Sequence, residues 1–160
     1  MNSLVVYDSQ FGNTEKIAQR IAETLAAYGK ARAVRVTAVE PNAFDAIDLL
    51  VVGCPTQAWN STPALKNFIA DLDNAKLKRL RFAEFDTRFD KPRWLTGSAA
   101  SKLENQLRRL QVTSLVAPAS FFVTANEGPL AAGELERAAD WANELYDTFH
   151  AQCEPVAVPM

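Results

Sequence analysis

Six consecutive residues, Ser9-Gln10-Phe11-Gly12-Asn13-Thr14, gather hydroxyl and amide side chains around a glycine, with no lysine or arginine among them. An apolar run, Leu4-Val5-Val6-Tyr7-Asp8, precedes them, and a helical pattern from about Thr14 to Tyr28 follows. Backbone N–H groups at a helix start have no intrahelical acceptor and carry partial positive charge, so an anion is favoured there. Gly12 lets the backbone curl closely around a phosphate, while Ser9 and Thr14 can donate hydroxyl hydrogen bonds. A phosphate can be held in this way without a cationic side chain. The same residues also suit an ordinary capped strand-to-helix turn with no ligand.

Three further segments carry candidate chemistry. Gly53-Cys54-Pro55-Thr56-Gln57-Ala58-Trp59-Asn60-Ser61-Thr62-Pro63 follows a second apolar run. Its Cys54 does not read as a nucleophile. A phosphatase-like loop needs arginine six positions later, where Asn60 stands, and nothing nearby would lower the thiol pKa. Cys54 reads as a packing residue. Another loop runs from Thr87 through Arg88, Phe89, Asp90, Lys91, Pro92, Arg93 and Trp94 to Gly97, and Ser98 or Ser101 then supplies a helix N-cap. A second phosphate site at that helix start is the alternative. In Phe121 to Leu130, Gly128 and Pro129 mark a defined turn, and Glu127 faces either a site or solvent.

Composition narrows the classes. A chain of 160 residues with 48% apolar residues is most simply one domain with a substantial core. No run is long enough to span a membrane, and no basic, apolar leader is read at the N-terminus. Two cysteines, Cys54 and Cys153, make a disulfide framework an unfavoured reading, so a reducing cytoplasm is expected. One histidine, His150, gives no support to a histidine-based metal site or triad. A net charge of −2 argues against nucleic acid as the main partner. No Gly-x-Gly and no Gly-Lys-Ser/Thr occurs, which removes the dinucleotide fingerprint and the P-loop.

The elements that must position these loops alternate between strand and helix, the pattern of a parallel α/β sheet. Strands are expected at about Leu4–Asp8, Arg32–Thr37, Leu49–Gly53, Phe82–Asp86 and Leu115–Val123. Helices are expected from Thr14 to Tyr28, from Pro63 with Leu65, Phe68, Ile69 and Leu72, from Ser98 to Leu110, and from Glu134 to Phe149. The first and third strands are continuously apolar and should be central; the alternating second and the Pro118-containing fifth should be edges. That suits the order 2-1-3-4-5, in which ligands bind at the carboxyl ends of the strands where the winding reverses. The domain is expected to span residues 1–150, with a loosely ordered tail over 151–160. Lys76 to Arg93 is locally basic and reads as a solvated connection or, alternatively, a docking patch.

The loop Ser9–Thr14, the Pro55-Thr56 pair and Trp59 together resemble the flavodoxin family, whose phosphate loop usually reads Thr/Ser-x-Thr-Gly-x-Thr. Phe11 replaces the middle hydroxyl residue here. The resemblance implies an FMN-binding electron carrier, with Ser9, Gln10, Phe11, Gly12, Asn13 and Thr14 at the phosphate. Pro55, Thr56, Gln57, Ala58, Trp59 and Asn60 would lie at the ring. Trp59 would stack on the isoalloxazine and lower its second one-electron potential. Asn60 would tolerate the positive φ of a peptide that turns over on reduction. Phe89 and Trp94 would replace the tyrosine that covers the other ring face in many flavodoxins. Redox partner proteins and a monomer or weak dimer are implied. Two alternatives stand beside this reading. One is an FMN-dependent NAD(P)H:quinone-type reductase, for which the third loop and modest charge leave room. The other is a binding or regulatory module of the same fold without FMN, suggested by Phe11 and the altered third loop.

Overall fold

The computed structural model describes residues 1–153. Five strands, β1 (Ser3–Tyr7), β2 (Ala31–Arg35), β3 (Leu49–Pro55), β4 (Arg81–Phe89) and β5 (Ala119–Val123), form one sheet. Its order is β2-β1-β3-β4-β5 and every pairing is parallel. The helices are α1 (Asn13–Leu25), α2 (Pro63–Ala70), α3 (Asn74–Arg79), α4 (Arg93–Thr96), α5 (Ala99–Arg109) and α6 (Glu134–Cys153). The expected three-layer α/β fold and strand order are those observed. Among the described residues, no helix is long and apolar enough to cross a membrane.

The period-two alternation of a strand explains how the sheet divides the core. Leu4, Val6, Leu50, Val52 and Phe82 point to the face covered by α2 and α5, where Leu65, Ile69, Leu103 and Leu107 meet them. Val5, Tyr7, Leu49, Val51 and Phe85 point to the other face, against Ile17, Ala18 and Ile21 of α1 and Ala138, Trp141 and Leu145 of α6. β1 and β3 are buried on both faces because both faces are roofed.

The departures from expectation have local causes. β5 begins at Ala119, not Leu115. Leu115 N–H does reach Phe82 O at 2.7 Å, but Pro118 has no N–H to offer, so the ladder starts one residue after it. β4 runs three residues past Asp86, to Phe89, because Cys54 and Pro55 of β3 and Thr87 to Phe89 of β4 keep their parallel partners. α6 continues through Cys153, so residues 151–153 of the expected tail are helical, and the rest of that tail lies outside the described residues.

The basic segment 76–93 is neither one connection nor one patch. Lys76, Lys78 and Arg79 lie on α3, where Arg79 donates to the carbonyls of Phe44 and Ile47 and Lys76 pairs with Asp73. Arg88, Lys91 and Arg93 lie at or beyond the far end of β4. A nine-residue strand separates the two groups by roughly 25 Å.

Candidate functional site

A cleft of about 470 Å³ opens at the carboxyl ends of β1, β3, β4 and β5. It spans the point between β1 and β3 where the chain reverses its winding direction, the expected place for a ligand in an open parallel sheet.

One wall is the turn between β1 and α1. Gly12 stands at the N-cap with φ 86°, a left-handed conformation that a Cβ would disfavour. Ser9 Oγ accepts from Gly12 N–H at 3.0 Å, which bends the turn and leaves the Ser9 hydroxyl proton for another partner. No side chain caps α1. Among the described residues, the N–H groups of Phe11, Asn13, Thr14 and Glu15 donate to no protein acceptor, so they remain available to an anion. The Thr14 and Thr87 hydroxyls bond each other at 2.7 Å and so align the α1 start with β4. The Asn13 side chain is already used: its Nδ2 donates to Glu127 O at 3.1 Å, and only its backbone N–H faces this role. Glu127 is thereby placed, its carbonyl fastening the loop after β5. Arg35, from β2, donates to Ser9 O at 2.8 Å and lies within 4 Å of Asp8 and Glu15. The turn has no cation in its own sequence, yet the fold supplies one behind it.

The second wall is the turn after β3. Gln57 and Asn60 exchange backbone bonds of 2.9 and 2.8 Å, closing a two-residue turn on Ala58 and Trp59. Both central residues have positive φ, 45° and 65°, the sign pattern of a type I′ turn. The left-handed positions therefore fall on Ala58 and Trp59, and Asn60, expected to take one, closes the turn instead. Asparagine and glycine favour such positions, whereas an alanine and a tryptophan must be held there by their surroundings. Trp59 Nε1 donates to Leu95 O at 3.0 Å, and Trp59 bridges to Gly97. A Cβ on Gly97 would come within 2.5 Å of Trp59 Cα, so only glycine permits this approach. The indole is 55% exposed at the cleft mouth.

The third wall comes from β4 and α4. Phe89 lines the cleft, 37% exposed, with Thr87, Arg88, Leu95 and Thr96. Trp94 does not. It is 82% exposed on the outer side of α4, because the single turn Arg93–Thr96 directs Leu95 and Thr96 inward. Ser98 acts as the cap of α5: its Oγ accepts from Ser101 N–H and its hydroxyl donates to Asp86 Oδ2 at 2.6 Å. That buried arrangement leaves no opening for a second phosphate.

The cleft thus gathers Ser9, Gln10, Phe11, Asn13, Thr14, Pro55, Thr56, Gln57, Ala58, Trp59 and Phe89. Gly12 shapes the turn from behind, and Asn60 and Trp94 lie off the lining. Thr87, Arg88, Leu95, Thr96, Val123 and Asn126 line it as well; they fall in the segments Thr87 to Gly97 and Phe121 to Leu130 that the sequence put forward, though none was itself assigned a role there. The position of Val123 and Asn126 was recoverable from the rule that parallel strands present their carboxyl ends together. Ending β4 at Asp86 placed Arg88 in a loop, whereas it stands on the last pleat of the strand. Cys54 is fully buried in the core, and burial pushes its thiol up to about 12, so it stays protonated.

Comparison with known proteins agrees with this architecture. A flavodoxin from the domain Archaea superposes with a TM-score of 0.74 at 15% identity, over 94% of this chain and 99% of that one. Oxidised flavodoxin 2 from Bacillus cereus gives 0.74 at 21% identity, over 93% and 100%. The rubredoxin oxygen:oxidoreductase of Desulfovibrio gigas gives 0.75 at 15% identity over 96% of this chain, which spans 37% of that larger protein. These likenesses concern the fold. The sequence profile of the flavodoxin family matches residues 5–141, nearly the full length of the folded chain. The chain belongs to the flavodoxin family.

Proposed function

We propose that the protein binds FMN in this cleft and passes electrons between partner proteins. The observation that carries the reading is the pairing, across one cleft, of unsatisfied N–H groups at the start of α1 with the exposed indole of Trp59. The first suits a phosphate and the second a flat ring. A volume of about 470 Å³ lies within the roughly 300–1,000 Å³ common for cofactor clefts. Ser9, Gly12, Asn13 and Thr14 would hold the phosphate, through the Ser9 hydroxyl, the N–H groups of Asn13 and Thr14, and the turn that Gly12 shapes. Phe11 removes one hydroxyl donor from this set. Thr56, Trp59 and Phe89 would lie at the ring. Bound FMN would supply the capacity to accept and release electrons one or two at a time. The residues of the chain would position the ring, limit its contact with water and set its potentials; no acid or base of their own is required. Two unpaired cysteines, one buried, suit a reducing cytoplasm.

The test is direct. Titrating the protein with FMN should quench flavin fluorescence, and Trp59→Ala should weaken binding by roughly tenfold, the loss of one aromatic stack. Thr14→Ala should weaken it less, through loosening of the α1 start. No binding at high micromolar FMN would overturn the reading.

A further inference from the structure

Among the described residues that line the cleft, Arg88 is the one cation. Its guanidinium is nearly buried and is held from several sides. Nε donates to Ser120 Oγ at 2.9 Å; Nη1 donates to Lys91 O at 2.6 Å, Thr96 Oγ1 at 3.2 Å and Phe89 O at 3.3 Å. The Phe122 ring lies against its flat face at 5.2 Å. These partners are all uncharged. Nη2 donates to no acceptor among the described residues.

Asp86 is the nearest carboxylate, and it offsets part of this charge from the side away from the cleft. It precedes Arg88 by two residues on the same strand, so it sits one pleat deeper, away from the carboxyl end. Its Oδ2 accepts from Thr56 Oγ1, Ser98 Oγ and Ala100 N–H, while Oδ1 stands 3.9 Å from Arg88 Nε. Asp86 is fully buried and does not line the cleft. Burial lowers the Arg88 pKa from its usual value, with Asp86 and the exposed Asp90 opposing and Arg93 assisting; an arginine remains charged under such shifts. The result is a fixed dipole along β4 whose positive end meets the cleft.

We propose that Arg88 is a specificity-determining residue of the cleft, favouring the reduced form of a bound flavin over the oxidised form. This rests on the FMN reading above. Two electrons and one proton convert the neutral oxidised ring into a monoanion, the electrons coming from a partner reductase in use and from dithionite in the test. A guanidinium with a spare N–H edge attracts that added charge and has much less to gain from the neutral ring. Its direction is opposite to that of Trp59, whose stacked indole disfavours added charge.

An anaerobic potentiometric titration of the FMN complex tests this, together with FMN affinities in the oxidised state. Arg88→Gln should lower the preference for reduced over oxidised FMN at least tenfold, about 30 mV in the two-electron midpoint. Arg88→Lys, which restores a cation, should recover part of the shift. Removing Arg88 alone leaves Asp86 buried without its cation, so the double variant Asp86→Asn/Arg88→Gln is measured alongside; it should also fall below the wild type. A double variant with the wild-type midpoint would show that the pair acts as a neutral unit and would overturn the proposal. So would Arg88→Gln with a changed melting temperature and an unchanged midpoint, the mark of a purely structural residue. FMN uptake with no midpoint shift overturns this inference alone, whereas a wild type that takes up no FMN overturns the functional reading with it.

Discussion

Glu84 and Asp86 lie two residues apart on β4, both fully buried and both on the face roofed by α5. Asp86 receives three hydrogen bonds, two from side chains of neighbouring loops and one from the α5 start. Among the described residues, neither oxygen of Glu84 has a hydrogen-bond partner, whereas of the Asp86 oxygens only Oδ1 lacks one. Burial, reinforced by Glu104, pushes the Glu84 carboxyl up to about 7, and the nearby Ser114 hydroxyl offsets this only in part. The difference is positional. Asp86 sits where the loops after β3 and β4 converge, and loops and helix starts carry free donors. Glu84 sits mid-strand, where backbone groups are already spent in the ladder. One pleat of a strand thus separates a carboxylate built into a site from one that burial pushes toward its neutral form.

That contrast can be broken most severely at Asp86. Asp86→Ala should cost about 3–5 kcal/mol in urea denaturation, because Arg88, Ser98 and Ala100 N–H lose their partner together. Glu84→Met should act in the opposite direction. The folded pKa of Glu84 exceeds its unfolded value of 4.5, so its contribution to stability is fully present below about pH 4.5 and lost as pH rises through about 7. The wild type should accordingly lose stability over that window, on the order of 3 kcal/mol, and Glu84→Met should abolish the slope. Melting curves from pH 4 to 8 read both; parallel slopes in the two proteins would remove the basis of the comparison. The smallest effect is expected from Ser98→Ala. It deletes one of the Asp86 donors and the α5 cap, at about 1–2 kcal/mol.

The sheet order was legible because burial writes itself into strand composition. Leu49 to Val52 admits no polar residue, whereas Ala31 to Arg35 alternates. The turn after β1 was legible for a related reason: hydroxyls and a glycine between a strand and a helix mark a tight strand-to-helix turn, with or without a ligand. What stayed hidden were features made by residues distant in sequence. Reading β4 as ending at Asp86 placed Arg88 in a loop and merged two opposite ends of the sheet into one basic segment. The left-handed turn was assigned to Asn60 on residue preference, while the structure imposes it on Ala58 and Trp59 through contacts with Leu95 and Gly97. No local signal records a conformation that a neighbouring loop enforces.

The enforced turn has an implication for how such a cleft can be rebuilt. Two residues with side chains in a left-handed turn cost of order 1–3 kcal/mol each, so the loop after β3 does not own its shape. It borrows that shape from α4, through the Leu95 carbonyl and the bare backbone of Gly97. Grafted alone into another scaffold, Gln57–Asn60 would relax to a different turn. Transplanted together with residues 94–97, it would keep its form, which makes the pair of loops, and not either one, the heritable unit of this wall.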